Sequence, residues 1–331
     1  MQPVRHFDFA ELERFAARYD QGVMAGWLED LLARNRSHAF AVPGYEPLLA
    51  QRIRAVIEAG RPASCLRLGD GEGNILGACN REFRDLHQLA ARKAALMHLG
   101  RWLPGSALEQ LSRATFEAVA NADVIGVPCT GRIKRLYHDL KNRTGGNKYD
   151  IRGACGTINA LRNAHAALSS APPDRVITNC WFHRDLLPFY QEILRGMPKL
   201  GLISCYPDLS DRLRAAFEAE DVMLFRIPNQ VSNSGERPVP PHYPTVFENV
   251  MQSLGNIGKG QPVLVAAGIL GKIYCNRVKQ CGGIALDIGS VADVWMGRRA
   301  RRYHDAAYLE KWALSDRAAD TRGCNSAASR G

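Results

Sequence analysis

Long apolar runs are missing from this sequence. The longest, Val263-Leu264-Val265-Ala266-Ala267, stops at Gly268 and falls far short of the roughly 20 apolar residues that a membrane-spanning helix needs. Near the N-terminus, Arg5, His6, Asp8, Glu11 and Glu13 interrupt any apolar core of a secretory signal, so a cytoplasmic protein is expected. The cysteines lack a paired framework: there are nine, an odd number, which fits a reducing compartment and small core residues rather than disulfides. Cys275 and Cys281 lie close together but have no second Cys/His pair at zinc spacing, and the nine histidines never pair as metal ligands do. Acidic residues are the scarcer charge, 33 against 43 Lys and Arg, a formal net charge of +10. That balance favours an anionic partner without saying whether it is a nucleotide, a nucleic acid or an acidic membrane face. With 46% hydrophobic residues in 331, the chain can bury a large core, and a disordered or low-complexity protein is excluded.

What is present falls into three stretches. Residues 1–45 read as a helical N-terminal extension, with Asp8 and Glu11 as a capping pattern ahead of Leu12, Phe15, Ala16 and Tyr19 at helical spacing. From residue 46 to 297 short β-rich runs alternate with amphipathic helices: Cys65 to Leu68, Val124 to Pro128, Val176 to Cys180, Leu202 to Cys205, Val222 to Ile227, Val263 to Ala267 and Ile284 to Ile288. Alternation of this kind predicts an α/β, Rossmann-like domain with a mainly parallel, doubly wound sheet, and ligands of such sheets bind at the carboxyl ends of the strands. Residues 298–331 read as a basic C-terminal helix and a disordered tail, and Arg298, Arg299, Arg301 and Arg302 can touch anionic lipid headgroups. Residues 129 to 150, with six cations and the pair Gly145-Gly146, and residues 228 to 244, with five prolines, read as long loops. The first is expected to be an anion-gripping lid.

Two glycine motifs carry the chemistry. Arg67-Leu68-Gly69-Asp70-Gly71-Glu72-Gly73 follows the first expected strand. Its two carboxylates can converge on a Mg²⁺ or Mn²⁺ ion, while the glycines let the chain approach a ligand closely. Gly268-Ile269-Leu270-Gly271-Lys272 follows the apolar run and opens a helix, an arrangement that offers backbone N–H groups to a phosphate. The same turn, with Asp287 at the end of the next strand, also fits a reduced dinucleotide fingerprint. His183-Arg184-Asp185 has the pattern of a kinase catalytic loop, but Tyr190 stands where its metal-binding Asn would be.

The motif around Asp70, the late Gly268-x-x-Gly271-Lys272 turn and Ala285-Leu286-Asp287-Ile288-Gly289 together resemble the bacterial glycosyltransferases of the GT-D fold, over roughly residues 45 to 297. The resemblance implies a single Rossmann-like domain of GT-D type, a nucleotide-sugar donor (a UDP-sugar first of all), and a divalent cation held by Asp70 and Glu72. The acceptor would be a hydroxyl of a glycan, glycolipid or glycoprotein. Arg67, Gly69, Gly71, Gly268, Gly271 and Lys272 would hold the donor and stabilise the departing diphosphate. Glu236, His242 and Asp287 are candidates for a general base. Two other classes fit parts of the sequence: an NAD(P)-dependent oxidoreductase using the Gly268 turn, and a basic nucleic-acid-binding protein.

Overall fold

Seven strands form where the apolar runs lie. They are β1 Ala63–Arg67, β2 Val124–Val127, β3 Val176–Asn179, β4 Lys199–Ser204, β5 Asp221–Arg226, β6 Pro262–Val265 and β7 Ile284–Asp287. In this computed structural model they make one sheet in the order β3-β2-β1-β7-β6-β4-β5, and every pairing is parallel. The structure describes residues 9–142, 151–169, 173–230, 235 and 238–315.

Successive strand residues point to opposite faces, and both faces are covered, as an all-parallel sheet requires. Cys65, Val124, Val176, Leu202 and Leu264 face one core with Leu49 and Ile53 of the helix Glu46–Glu58, and with Trp295. Leu66, Ile125 and Ile177 face a second core, built on the helices Gly105–Asn121 and Ile151–Leu168. Ile203, Val263, Val265 and Ala285 face a third, under the helix Gly271–Gln280. No helix among the described residues is long and apolar enough to cross a membrane.

The N-terminal helices Phe9–Arg18 and Gln21–Arg34 share the second core: Leu12, Phe15, Met24, Leu28 and Leu31 are buried there with Leu161 and Ala164. The basic stretch from residue 129 is different from the expected loop. Thr130–Asn142 is a helix, because Ile133, Leu136, Tyr137 and Leu140 recur at helical spacing and pack on that core. Arg132, Lys134, Arg135 and Lys141, interleaved with it, obscured this stripe in the sequence. Arg143, Gly145, Gly146 and Lys148 lie outside the described residues, as do Glu236 and residues 316–331.

Candidate functional site

The carboxyl ends of all seven strands open into one cleft of about 270 Å³. Its lining includes Arg67 at the end of β1 and Gly69, Asp70, Gly71 and Glu72 after it, Trp181 and His183 after β3, Tyr206 after β4, Gln230 after β5, Gly268 after β6 and Asp293 after β7. This is where a doubly wound sheet binds ligands, because the loops leaving its strands part there.

The D-x-E turn is built into a helix start. Gly69 is the N-cap of the helix Asp70–Gly77, and its N–H donates to Glu72 Oε2 at 3.0 Å. Glu72 Oε1 lies 3.1 Å from Lys272 Nζ. Lys272 also donates to Asp287 Oδ2, which accepts from the Arg67 backbone N–H at 3.3 Å and lies 3.8 Å from Arg67 Nε. Arg67, Lys272, Glu72 and Asp287 therefore form a buried layer of two cations and two carboxylates, neutral as a whole. Gly289 completes it: at φ +46°, an added Cβ would stand 2.4 Å from Arg67 Nη2.

Several expected roles change in this light. Lys272 is fully buried between two carboxylates and does not line the cleft, so it is not free to grip a phosphate. Asp287, with its side chain 2% exposed, is committed to Lys272 and Arg67 and is not free to act as a base or to hold a ribose. A Cβ at Gly271 would meet Val265 and Ala267 at ordinary contact distance, so that glycine faces the sheet rather than a ligand. Gly73 serves packing too: a Cβ there would lie 1.8 Å from the carbonyl oxygen of Gly156 on the neighbouring helix. His242 is buried and bonded to the Tyr274 hydroxyl at 3.1 Å. Asp70, by contrast, is exposed in the cleft.

Both Glu72 oxygens have partners, Gly69 and Lys272, whereas Asp70 is exposed in the cleft, so the two carboxylates of the turn do not share one environment.

Sequence reasoning missed part of the rim. Arg132 comes from the stretch expected to grip an anion, Arg301 from the cluster expected at lipid headgroups, and Arg152 was not singled out; all three line the cleft and give it cations. Trp181 and Tyr303 form one wall, with the Arg184 guanidinium stacked 4.5 Å from each ring. His98 and Gln230 complete the side next to Asp70. The strand-end rule points to Trp181 and Gln230, whereas His98, at the end of the helix Arg84–Leu99, carries no motif.

Burial and the buried charges together set the ionisation of the site and of the core histidines. Burial by itself would raise the Glu72 pKa, but the Lys272 and Arg67 charges overcome it and hold it down at about 2. Burial pushes the His87 and His242 imidazoles down to about 4. Each of these imidazoles is neutral in the folded chain and takes up a proton near 6.5 once unfolded. Its contribution is therefore full above pH 6.5 and is lost as pH falls towards 4. Glu72 adds a second loss between its ordinary 4.5 and about 2. Melting temperature is thus expected to decline from pH 6.5 downwards and to fall more steeply below 4.5. A melting temperature flat from pH 7 to 4 would contradict it.

A comparison of the chain with protein-family models, with curated proteins and with solved structures finds no match. The fold and cleft define an α/β protein with a Rossmann-like parallel sheet and a cleft at its carboxyl edge.

Proposed function

We propose that the chain is a glycosyltransferase that moves a sugar from a nucleoside-diphosphate donor to an acceptor hydroxyl, as its likeness to the GT-D glycosyltransferases implies. One observation carries this reading: a single cleft joins the rim arginines Arg132, Arg152 and Arg301 to the exposed carboxylate of Asp70, above a floor with no net charge. In such a transfer, negative charge builds on the departing diphosphate while the sugar carbon becomes oxocarbenium-like. Fixed guanidinium donors stabilise the first. Asp70 accepts hydrogen bonds from sugar hydroxyls and offsets the second, and Trp181 and Tyr303 offer ring faces to a base or a sugar. These steps are assigned to the chain's own side chains, with Glu72 keeping its partners Gly69 and Lys272. The oxidoreductase reading lacks its ribose-binding acid, since Asp287 is buried beneath Lys272 and Arg67.

The test is a thermal-shift panel of UDP, GDP, CMP and NAD, with and without Mn²⁺, followed by transfer from the corresponding sugar nucleotides. A nucleoside diphosphate is expected to raise the melting temperature, and Mn²⁺ alone to leave it where it is. Replacing Arg132 and Arg301 together by Ala should weaken nucleotide binding by at least about tenfold, since hydrogen bonds to charged groups contribute about 1.5–3 kcal/mol each. Stabilisation by NAD alone, with no response to any diphosphate, would overturn the reading.

A further inference from the structure

We propose that His98 is the general base of the transfer, taking the proton of the acceptor hydroxyl on its Nε2, and that Gln230 positions it. This rests on the glycosyltransferase reading. His98 Nδ1 lies 3.2 Å from Gln230 Oε1. An amide oxygen only accepts, so Nδ1 carries the hydrogen and donates it, which leaves the lone pair on Nε2.

Both glycine motifs make room for this ring. A Cβ at Gly71 would stand 3.1 Å from His98 Nε2, and one at Gly268 would stand 3.3 Å from His98 Nδ1 and 2.2 Å from Gln230 Nε2. The two turns that look in sequence like ligand-approach glycines thus close on one imidazole, one beside each ring nitrogen. The charged groups facing it are Glu72 and Asp70, which favour the imidazolium, and Arg301, which opposes it. Burial is the largest influence, and the net shift is downward from 6.5. The ring is therefore neutral at pH 7 and able to accept a proton.

The other candidates are committed. Asp287 is paired with Lys272, His242 is bonded to Tyr274, and Asp293 accepts from the Tyr206 hydroxyl at 2.7 Å. His183 is buried with Nδ1 unpartnered and is held well below 6.5, first by burial and then by Arg67 and Arg184. Among the described residues Asp70 and the second oxygen of Asp293 are the remaining competitors, and the pH profile separates carboxylates from His98.

In the step, the acceptor oxygen attacks the anomeric carbon as its proton passes to Nε2. The bond from that carbon to the diphosphate breaks, and its electron pair leaves on the diphosphate oxygen. The imidazolium then returns the proton to water. A single displacement of this kind inverts the anomeric configuration.

Two measurements test the proposal. Long-range ¹H–¹⁵N NMR at pH 7.5, with His98→Gln used to assign the signal, should show His98 as the Nδ1–H tautomer; an Nε2–H tautomer would overturn the geometry whatever the enzyme's substrate. With the UDP-, GDP- and CMP-sugar panel and octyl glycosides as acceptors, His98→Gln should lose about 10²- to 10⁴-fold in kcat with little change in the binding of the nucleoside diphosphate. The acid limb of wild-type kcat/KM should fall below 6.5 and disappear in that variant. Gln230→Glu, which puts a carboxylate against Nδ1, should move the limb to higher pH, a change that a merely structural role would not produce. If wild type transfers sugar and His98→Gln keeps its kcat and its acid limb, this proposal fails while the transferase reading stands. If wild type neither binds nor uses any donor of the panel, both fail.

Discussion

Replacing Lys272 by Met is expected to cost about 3–5 kcal/mol of stability, the range for removing one partner of a buried ion pair. The fully buried ammonium lies between Glu72 Oε1 and Asp287 Oδ2. Without it, two buried carboxylates share one remaining cation, Arg67. Urea unfolding at pH 8 measures the loss, and a change below about 1 kcal/mol would show that the layer is not what holds this end of the sheet. The pH dependence is a second check. Carboxylates left without their cation have raised pKa values in the folded state, so the variant should regain stability relative to wild type as pH falls from 8 to 5. Adding Asp287→Asn to Lys272→Met should recover part of the loss, since it removes one of the two stranded charges.

Gly73→Val is expected to be almost as damaging, for a reason of shape rather than charge. The added Cβ would fall 1.8 Å from Gly156 O and 2.7 Å from Ala160 N. These are backbone atoms, so the helices Asp70–Gly77 and Ile151–Leu168 would have to part. Overpacking of this kind costs about 1–3 kcal/mol and occasionally more, and a backbone clash belongs at the upper end. Nucleotide binding should fall with stability, because Asp70 starts the helix that moves. Gly71→Ala makes the contrast: its Cβ meets the side chains of His98 and Ile269 at 3.1 Å, so the fold should survive while the cleft is disturbed. Comparable melting temperatures for Gly73→Val and wild type would refute the assignment of Gly73 to packing.

These two residues show where sequence reading reaches its limit. The seven strands were legible because each is a short apolar run with turns on both sides, although β4 begins at Lys199 rather than Leu202. Period and composition speak about near neighbours, and strands are near-neighbour objects. Gly73 stands in the same motif as Gly69 and Gly71, yet its role is set by Gly156 on another helix. Arg67, Glu72, Lys272 and Asp287 all stand out in the sequence as site residues, but nothing in their spacing says that they neutralise one another. His98 has neither glycine nor acid beside it in the chain, and only the fold brings it to Gln230 and Gly71. The helix Thr130–Asn142 was hidden for the opposite reason, since its many charges interleave with Ile133, Leu136, Tyr137 and Leu140 and mask their helical period.

The neutral floor also bears on how the chain must fold. Arg67 and Asp287 are 220 residues apart in sequence, and β1 pairs with β7, the last strand along the chain and the central one of the sheet. A chain that ends before residue 272 holds Arg67 and Glu72 without either of their outside partners. The first three strands therefore cannot finish this end of the cleft by themselves, and loop closure over most of the molecule must come first. The R-L-G-D-G-E stretch, which reads as the most local motif in the sequence, depends for its final form on residues that leave the ribosome long after it.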